Sequence, residues 1–169
     1  MWRWRGQERP PFASEPGPGQ RSVWDFPRPP RIEAVPVPVR VALDGETLAV
    51  SHRALRICET ASAPTYYLDP ADVSMERLER CGPESVCEWK GRAAHWRLAG
   101  GEGPPLAWSY PEPFPAFEAI AGWLAFYPSR VSCFVGDERA MPQEGGFYGG
   151  WVTADLAGPI KGGPGSHGW

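Results

Sequence analysis

Proline and glycine limit this chain more than any other residues. With 21 prolines and 20 glycines among 169 residues, backbone donors are removed and backbone entropy is raised at short intervals. Long helices are therefore excluded, and short strands, tight turns and extended tails are favoured. The length suffices for one domain with a real core, since a chain of about 150 residues buries roughly two-thirds of its unfolded surface. A hydrophobic fraction of 42%, with 12% aromatics, is that of a globular protein.

The prolines and glycines also set the organisation. Residues 1–20 hold Pro10, Pro11 and the low-complexity run Glu15 to Gly19, which reads as a flexible arm. Residues 21–34 continue as an extended Pro-rich segment that Trp24 and Phe26 can anchor to the body. A β domain is expected over 35–144. Residues 145–169 form a glycine-rich tail whose aromatic residues can pin it to that domain as a strap.

Within the body, Val35, Val37, Val39, Val41 and Leu43 alternate on one face of a strand. Asp44-Gly45 is a strong hairpin signal. Further short strands are predicted over 47–51, 54–59, 64–68, 86–90, 93–98, 106–110, 123–127 and 131–135. One helix is predicted over 69–80, with Asp69 as its cap, Pro70 in its first turn and Gly82-Pro83 as its stop. The expected fold is mainly β: a single compact domain of short antiparallel strands, barrel-like or tent-like, with one short helix and extended arms at both ends.

A net charge of −3 gives no broad attraction to phosphate backbones, so nucleic acid is not an expected partner. No apolar run is long enough for a membrane span or an export signal, which predicts a cytoplasmic protein without a membrane partner. The four cysteines, at 58, 81, 87 and 133, lack metal-ligand spacing, so no metal site is expected and free thiols are. The tail's Lys161 precedes Gly162 with no helix behind it. A phosphate-binding P-loop is thereby excluded, and Lys161 keeps only a minor anion-binding role.

Several unusual blocks follow one another in a fixed order. They run through Leu48 to Ser51, Glu59-Thr60, Tyr66-Tyr67, Asp69 to Val73, Cys87 to Gly91, His95-Trp96, Trp108 to Pro111, Ala125 to Pro128, Gly146 to Thr153 and Gly158 to Gly165. In this order the chain resembles, over about residues 21–169, the bacterial and fungal family called domain of unknown function 427. It departs from the family pattern at Val50, where an acidic residue precedes the serine. The resemblance implies a compact, mostly β domain. The family is sometimes grouped with nucleotidyltransferases, and no established reaction or cofactor comes with it.

The residues themselves point to a pocket. Glu59 and Lys90 are charges in apolar surroundings and need partners, either each other in a structural ion pair or a ligand held between them. Tyr66, Tyr67, Trp89, Trp96, Trp108 and Tyr110 supply aromatic surface, which serves the core or stacks on a planar ring. The leading expectation is a binding module for a small polar or planar molecule, nucleotide-like in character, in a cleft lined by Glu59, Tyr66, Trp89, Lys90 and Trp108. Alternatives are nucleotidyl or phosphoryl transfer, for which no paired acidic metal ligands are visible, and a self-association or protein-interaction module without chemistry. For covalent catalysis the candidates are Cys87 and Ser51 with His52 or His95 as base. For acid–base work they are Glu59 and Asp72.

Overall fold

A computed structural model describes residues 1–169. Fifteen short strands follow along the chain: β1 (Arg21–Ser22), β2 (Arg31–Ala34), β3 (Val39–Leu43), β4 (Glu46–Ser51), β5 (Leu55–Cys58), β6 (Thr65–Tyr67), β7 (Leu78–Cys87), β8 (Gly91–Leu98), β9 (Ala107–Ser109), β10 (Leu124–Phe126), β11 (Ser132–Val135), β12 (Glu138–Arg139), β13 (Met141–Pro142), β14 (Trp151–Val152) and β15 (Leu156–Ala157). The fold is mainly β. Two four-stranded sheets, ordered β10-β9-β8-β7 and β12-β11-β3-β4, pack with a three-stranded sheet β2-β5-β6 and two strand pairs, and no sheet closes into a barrel. All pairings are antiparallel except β1 with β15. No helix is long and apolar enough to cross a membrane.

The Asp44-Gly45 signal makes the β3–β4 hairpin. Both residues take positive φ, 51° and 79°, as a type I′ turn requires. The alternation of the preceding valines holds for Val35, Val39 and Val41, which are buried. Val37 is exposed, because the strand starts only at Val39, after Pro38.

The helix expected over 69–80 does not form. Asp69 does cap a turn, its Oδ1 accepting the Ala71 N–H at 2.9 Å, but that turn is a single 3-10 turn, Pro70–Asp72. A second such turn spans Met75–Arg77, and β7 begins at Leu78. Between the turns Val73 is extended, bridges Ala49 of β4 and is buried in the core. Pairing with β4 thus outcompetes a helix too short to be stable without packing. Gly82-Pro83, read as the helix stop, lies where the β7–β8 register shifts, between Cys81 and Ser85. The longest helical segment is instead the kinked 3-10 stretch Pro115–Ile120.

Two core clusters share a wall. In β6 and β10 successive side chains point to opposite faces. Tyr66, Leu124 and Phe126 join Val39, Val41, Leu48 and Trp151 in one cluster. Tyr67 and Ala125 join Ile57, Trp108, Tyr110, Phe117 and Ile120 in the other. Tyr66 stacks on Trp151 of β14, ring centroids 4.5 Å apart, which adds about 0.5–1.5 kcal/mol to the area both rings bury. A third cluster forms around the chain ends. Trp24 and Phe26 are fully buried there, with Trp4 beside them, and Trp169 meets Trp24 edge-on at 5.3 Å.

Candidate functional site

The second cluster is not sealed. A cavity of about 630 Å³ opens between β5–β6, the β7–β8 hairpin, β9 and the C-terminal segment, a volume suited to a small metabolite. Its aromatic wall is built by alternation. Tyr67 from β6 and Trp108 from β9 face inward, Trp108 packs on Tyr127 at 4.5 Å, and Tyr110 follows Trp108 two residues on.

Of the five residues expected in the cleft, Glu59, Trp89, Lys90 and Trp108 line this cavity, and Tyr66 does not. Strand parity sends Tyr66 to the opposite core and Tyr67 to the cavity. A strand over 86–90 would turn Trp89 and Lys90 to opposite faces. They instead lie in the turn that joins β7 to β8, where alternation does not apply, so both reach the same space. The Lys90 carbonyl accepts the Phe114 N–H at 3.0 Å, which fixes that turn against the 3-10 stretch.

Glu59 and Lys90 are not an ion pair. Glu59 Oε1 accepts from Arg28 Nε at 3.2 Å and from Trp89 Nε1 at 3.3 Å. Arg28, from the Pro-rich segment, is the partner that sequence reasoning missed. Lys90 is 7% exposed. Its Nζ forms no ion pair, makes one polar contact, a 3.9 Å donation to Cys87 Sγ, and lies 5.9 Å from the rings of Tyr110 and Phe117. Burial opposes protonation of Lys90, but Tyr67, Cys87 and Glu59 outweigh it, so the amine stays above its ordinary range and cationic. Burial also pushes the Tyr110 phenol up, keeping it a neutral hydroxyl.

The same cavity holds the chain's other lysine. Lys90 and Lys161 are the only lysines among 17 basic residues, and both line it. Lys161 sits on the glycine-rich tail, its Nζ 4.8 Å from the Trp2 ring and 5.6 Å from the Tyr148 ring. Burial, and then neighbouring Arg28, hold this amine below its ordinary range against the opposing pull of Glu59 and Glu88. Arg130 adds a further cation, its guanidinium 4.3 Å from the Tyr127 ring.

His95 and Ser85 also reach the cavity wall. His95 Nδ1 is 3.2 Å from the Pro83 carbonyl, which can only accept, so Nδ1 carries a proton, and Nε2 lies 3.4 Å from Ser85 Oγ. Ser85 had no sequence signal, since β7 was expected to start only at Val86. Ser51 and His52 are elsewhere: Ser51 Oγ donates to Asp72 Oδ2 at 2.7 Å, and His52 is exposed. Asp72 is held by Arg53 and Ser51, which keep its carboxyl below the usual carboxylate range, while Glu59 binds Arg28 and Trp89, so the two carboxylates do not share a site. No three His, Cys, Asp or Glu side chains converge in a set that could hold a metal ion.

The glycines of the tail permit this geometry. A methyl on Gly149 would stand 2.1 Å from Trp108 Cη2, and one on Gly162 would stand 2.0 Å from the Glu144 carbonyl. Only a residue without a side chain lets the tail close over the aromatic wall.

Comparison with known families places this architecture. The model for the family described as domain of unknown function (DUF427) matches residues 31–137. The chain belongs to this family. The matched span contains Glu59, Tyr67, Cys87, Lys90, His95 and Trp108, whereas Trp2, Gln143, Tyr148 and Lys161 of the cavity lie outside it. No curated protein matches the chain.

Proposed function

We propose that this DUF427 protein is a binding module for a small, planar, anionic metabolite, nucleotide-like in having an aromatic ring and a phosphate or carboxylate. One observation carries the reading: Lys90 is a buried ammonium with no carboxylate partner, facing a cavity walled by aromatic rings. A buried charge without a counter-charge costs several kcal/mol, and ring faces recover only part of it. An anion in the cavity supplies the missing charge, while Tyr67, Trp108 and Tyr127 give its ring a place to stack.

The test compares adenosine 5′-monophosphate, adenosine and inorganic phosphate as thermal-shift probes. The monophosphate is expected to raise the melting temperature more than either part alone, and Lys90→Met to remove the advantage of the monophosphate over adenosine. At a hundredfold excess over Kd the stabilisation amounts to about 2.7 kcal/mol. Equal shifts for adenosine and its monophosphate would overturn the reading.

Group transfer in the same cavity is a second reading, favoured by the Ser85–His95 pair, in which the Nδ1 contact with the Pro83 carbonyl orients the imidazole and its Nε2 stands 3.4 Å from the hydroxyl. Incubation with a nucleoside triphosphate and magnesium followed by intact mass measurement tests it. A phosphoryl or nucleotidyl adduct lost in Ser85→Ala would establish it, and an unchanged mass would remove it as a self-modifying reaction.

A further inference from the structure

Of the four thiols in the chain, Cys87 alone lines the cavity. Cys87 ends β7 and pairs with Gly91, the first residue of β8, so Lys90 closes the turn between them. Gly91 takes φ 105°, a conformation that a side chain would strain. This local backbone sets sulfur and amine on the same wall, with Lys90 Nζ 3.9 Å from Cys87 Sγ. The other thiols differ. Cys58 and Cys133 are 0% exposed, and Cys81, half-buried, lies outside the cavity.

A cysteine attacks as its thiolate, and a partly exposed sulfur beside a cation is the setting in which that chemistry occurs, whereas sealed thiols are inert. Lys90 points to a ligand independently of the sulfur. The ammonium is more than nine-tenths buried, has no carboxylate partner and faces the cavity. Around it the lining carries Lys161 and Arg130 as further cations against Glu59 and Glu88, and Glu59 is already engaged by Arg28.

We propose that Cys87 captures a small carboxylate-bearing disulfide, forming a mixed disulfide whose carboxylate Lys90 holds. This rests on the reading of Lys90 as an anion anchor and goes beyond it in giving the cavity a covalent chemistry. An ionised sulfur is itself a counter-charge for the ammonium. Once bonded to a second sulfur it is neutral, and a carboxylate on the captured group takes its place; a neutral group would leave the buried charge alone.

The step balances with the disulfide as oxidant. The Cys87 thiol gives its proton to solvent, and Sγ attacks one sulfur of the reagent. A new S–S bond forms as the old one breaks. The second sulfur leaves with the bonding pair as a thiolate and takes up a proton, so Cys87 is oxidised and half of the reagent is reduced to a thiol.

The experiment exposes the reduced full chain at neutral pH to dithiodiglycolate, a small disulfide with two carboxylates, or to bis(hydroxyethyl) disulfide, which is neutral. Acid stops each reaction, and the cysteines are mapped by mass over time. Cys87 is expected to react first. Its rate ratio, anionic over neutral reagent, should fall about fivefold in Lys90→Met, the effect of one unit charge about 4 Å away in water. Lys90→Arg should keep the ratio, and the ratio at Cys81 should not change. The wild-type chain unfolded in urea supplies the same comparison should Lys90→Met fail to fold. First reaction at Cys81, or a Cys87 ratio no higher in the folded wild type than in Lys90→Met or in urea, would overturn the proposal. The two readings fail separately. Stabilisation by the monophosphate without a charge preference at Cys87 keeps the ligand cavity and removes the covalent site, and the converse removes the nucleotide-like ligand alone.

Discussion

Among the charged residues, Arg28 is the one whose loss the fold should feel most sharply. Its side chain is 1% exposed. The guanidinium donates to Glu59 Oε1 at 3.2 Å, to the Trp4 carbonyl at 3.0 Å, to the Thr60 carbonyl at 3.1 Å and to the Trp169 carbonyl at 3.2 Å, and it lies 4.1 Å from the Trp2 ring. One side chain thus ties both chain ends to the β5–β6 connection and holds Glu59 at the cavity wall. Arg28→Met keeps much of the apolar stem and removes every donor. The Thr60 carbonyl loses its partner in a buried place, at a cost of about 1–2 kcal/mol. The carbonyls of Trp4 and Trp169 belong to segments near the ends that can rehydrate. Glu59, at 23% side-chain exposure, keeps a charge in a poorly solvated site for about another 1–2 kcal/mol. The sum is about 3 kcal/mol, a large share of the 5–15 kcal/mol typical of a domain. Urea unfolding followed by tryptophan fluorescence measures it as a shift of midpoint at constant slope. Arg28→Lys should recover only part, because an ammonium cannot serve four acceptors with a planar fork. A loss below 1 kcal/mol for Arg28→Met would refute the keystone reasoning.

Gly149→Ala should cost about 1–3 kcal/mol by overpacking against the Trp108 indole and should shift the tryptophan emission. An unchanged melting temperature would mean that the tail does not close over Trp108. Trp151→Ala removes a fully buried ring that stacks on Tyr66 and donates to the Phe126 carbonyl at 2.9 Å, for an expected loss of about 3–5 kcal/mol in chemical denaturation. Burial alone would raise the Glu33 carboxyl, but hydrogen bonds from Arg21, Arg31 and Arg56 bring it down to about 2. The folded state thus holds this group ionised more strongly than the unfolded chain does. Its stabilisation is complete above about pH 4.5 and is lost as the pH falls toward 2. Glu33→Gln should flatten that part of the stability–pH curve while lowering stability at neutral pH.

What the sequence made legible was local. Asp44-Gly45 needed only its own backbone preference to declare a hairpin, and the strand expected over 64–68 carries the alternation that sends Tyr66 and Tyr67 to different clusters. Alternation could not say which of the two faced a cavity, because both faces of β6 are buried and equally apolar. The 69–80 segment carried genuine capping signals, and Asp69 does cap a turn, yet the burial of Val73 and its bridge to Ala49 decided the outcome from outside the segment. Lys90 was recognised as a charge in need of a partner. The partner of Glu59 proved to be Arg28, 31 residues away in a proline-rich stretch that gives no periodic signal. The glycine-rich tail was expected to strap the body, and nothing in the sequence indicated that its Lys161 would line the same cavity as Lys90.

The most direct test of the account reads the lysines themselves. The ¹⁵Nζ spectrum of the protein contains two lysine signals, one from Lys90 and one from Lys161, assigned by Lys161→Arg. Titration with adenosine 5′-monophosphate should move the Lys90 signal saturably, with adenosine leaving it in place and added salt weakening the response only modestly, as befits a buried charge. A Lys90 signal that stays fixed throughout the titration would contradict the claim that this buried ammonium awaits an anion.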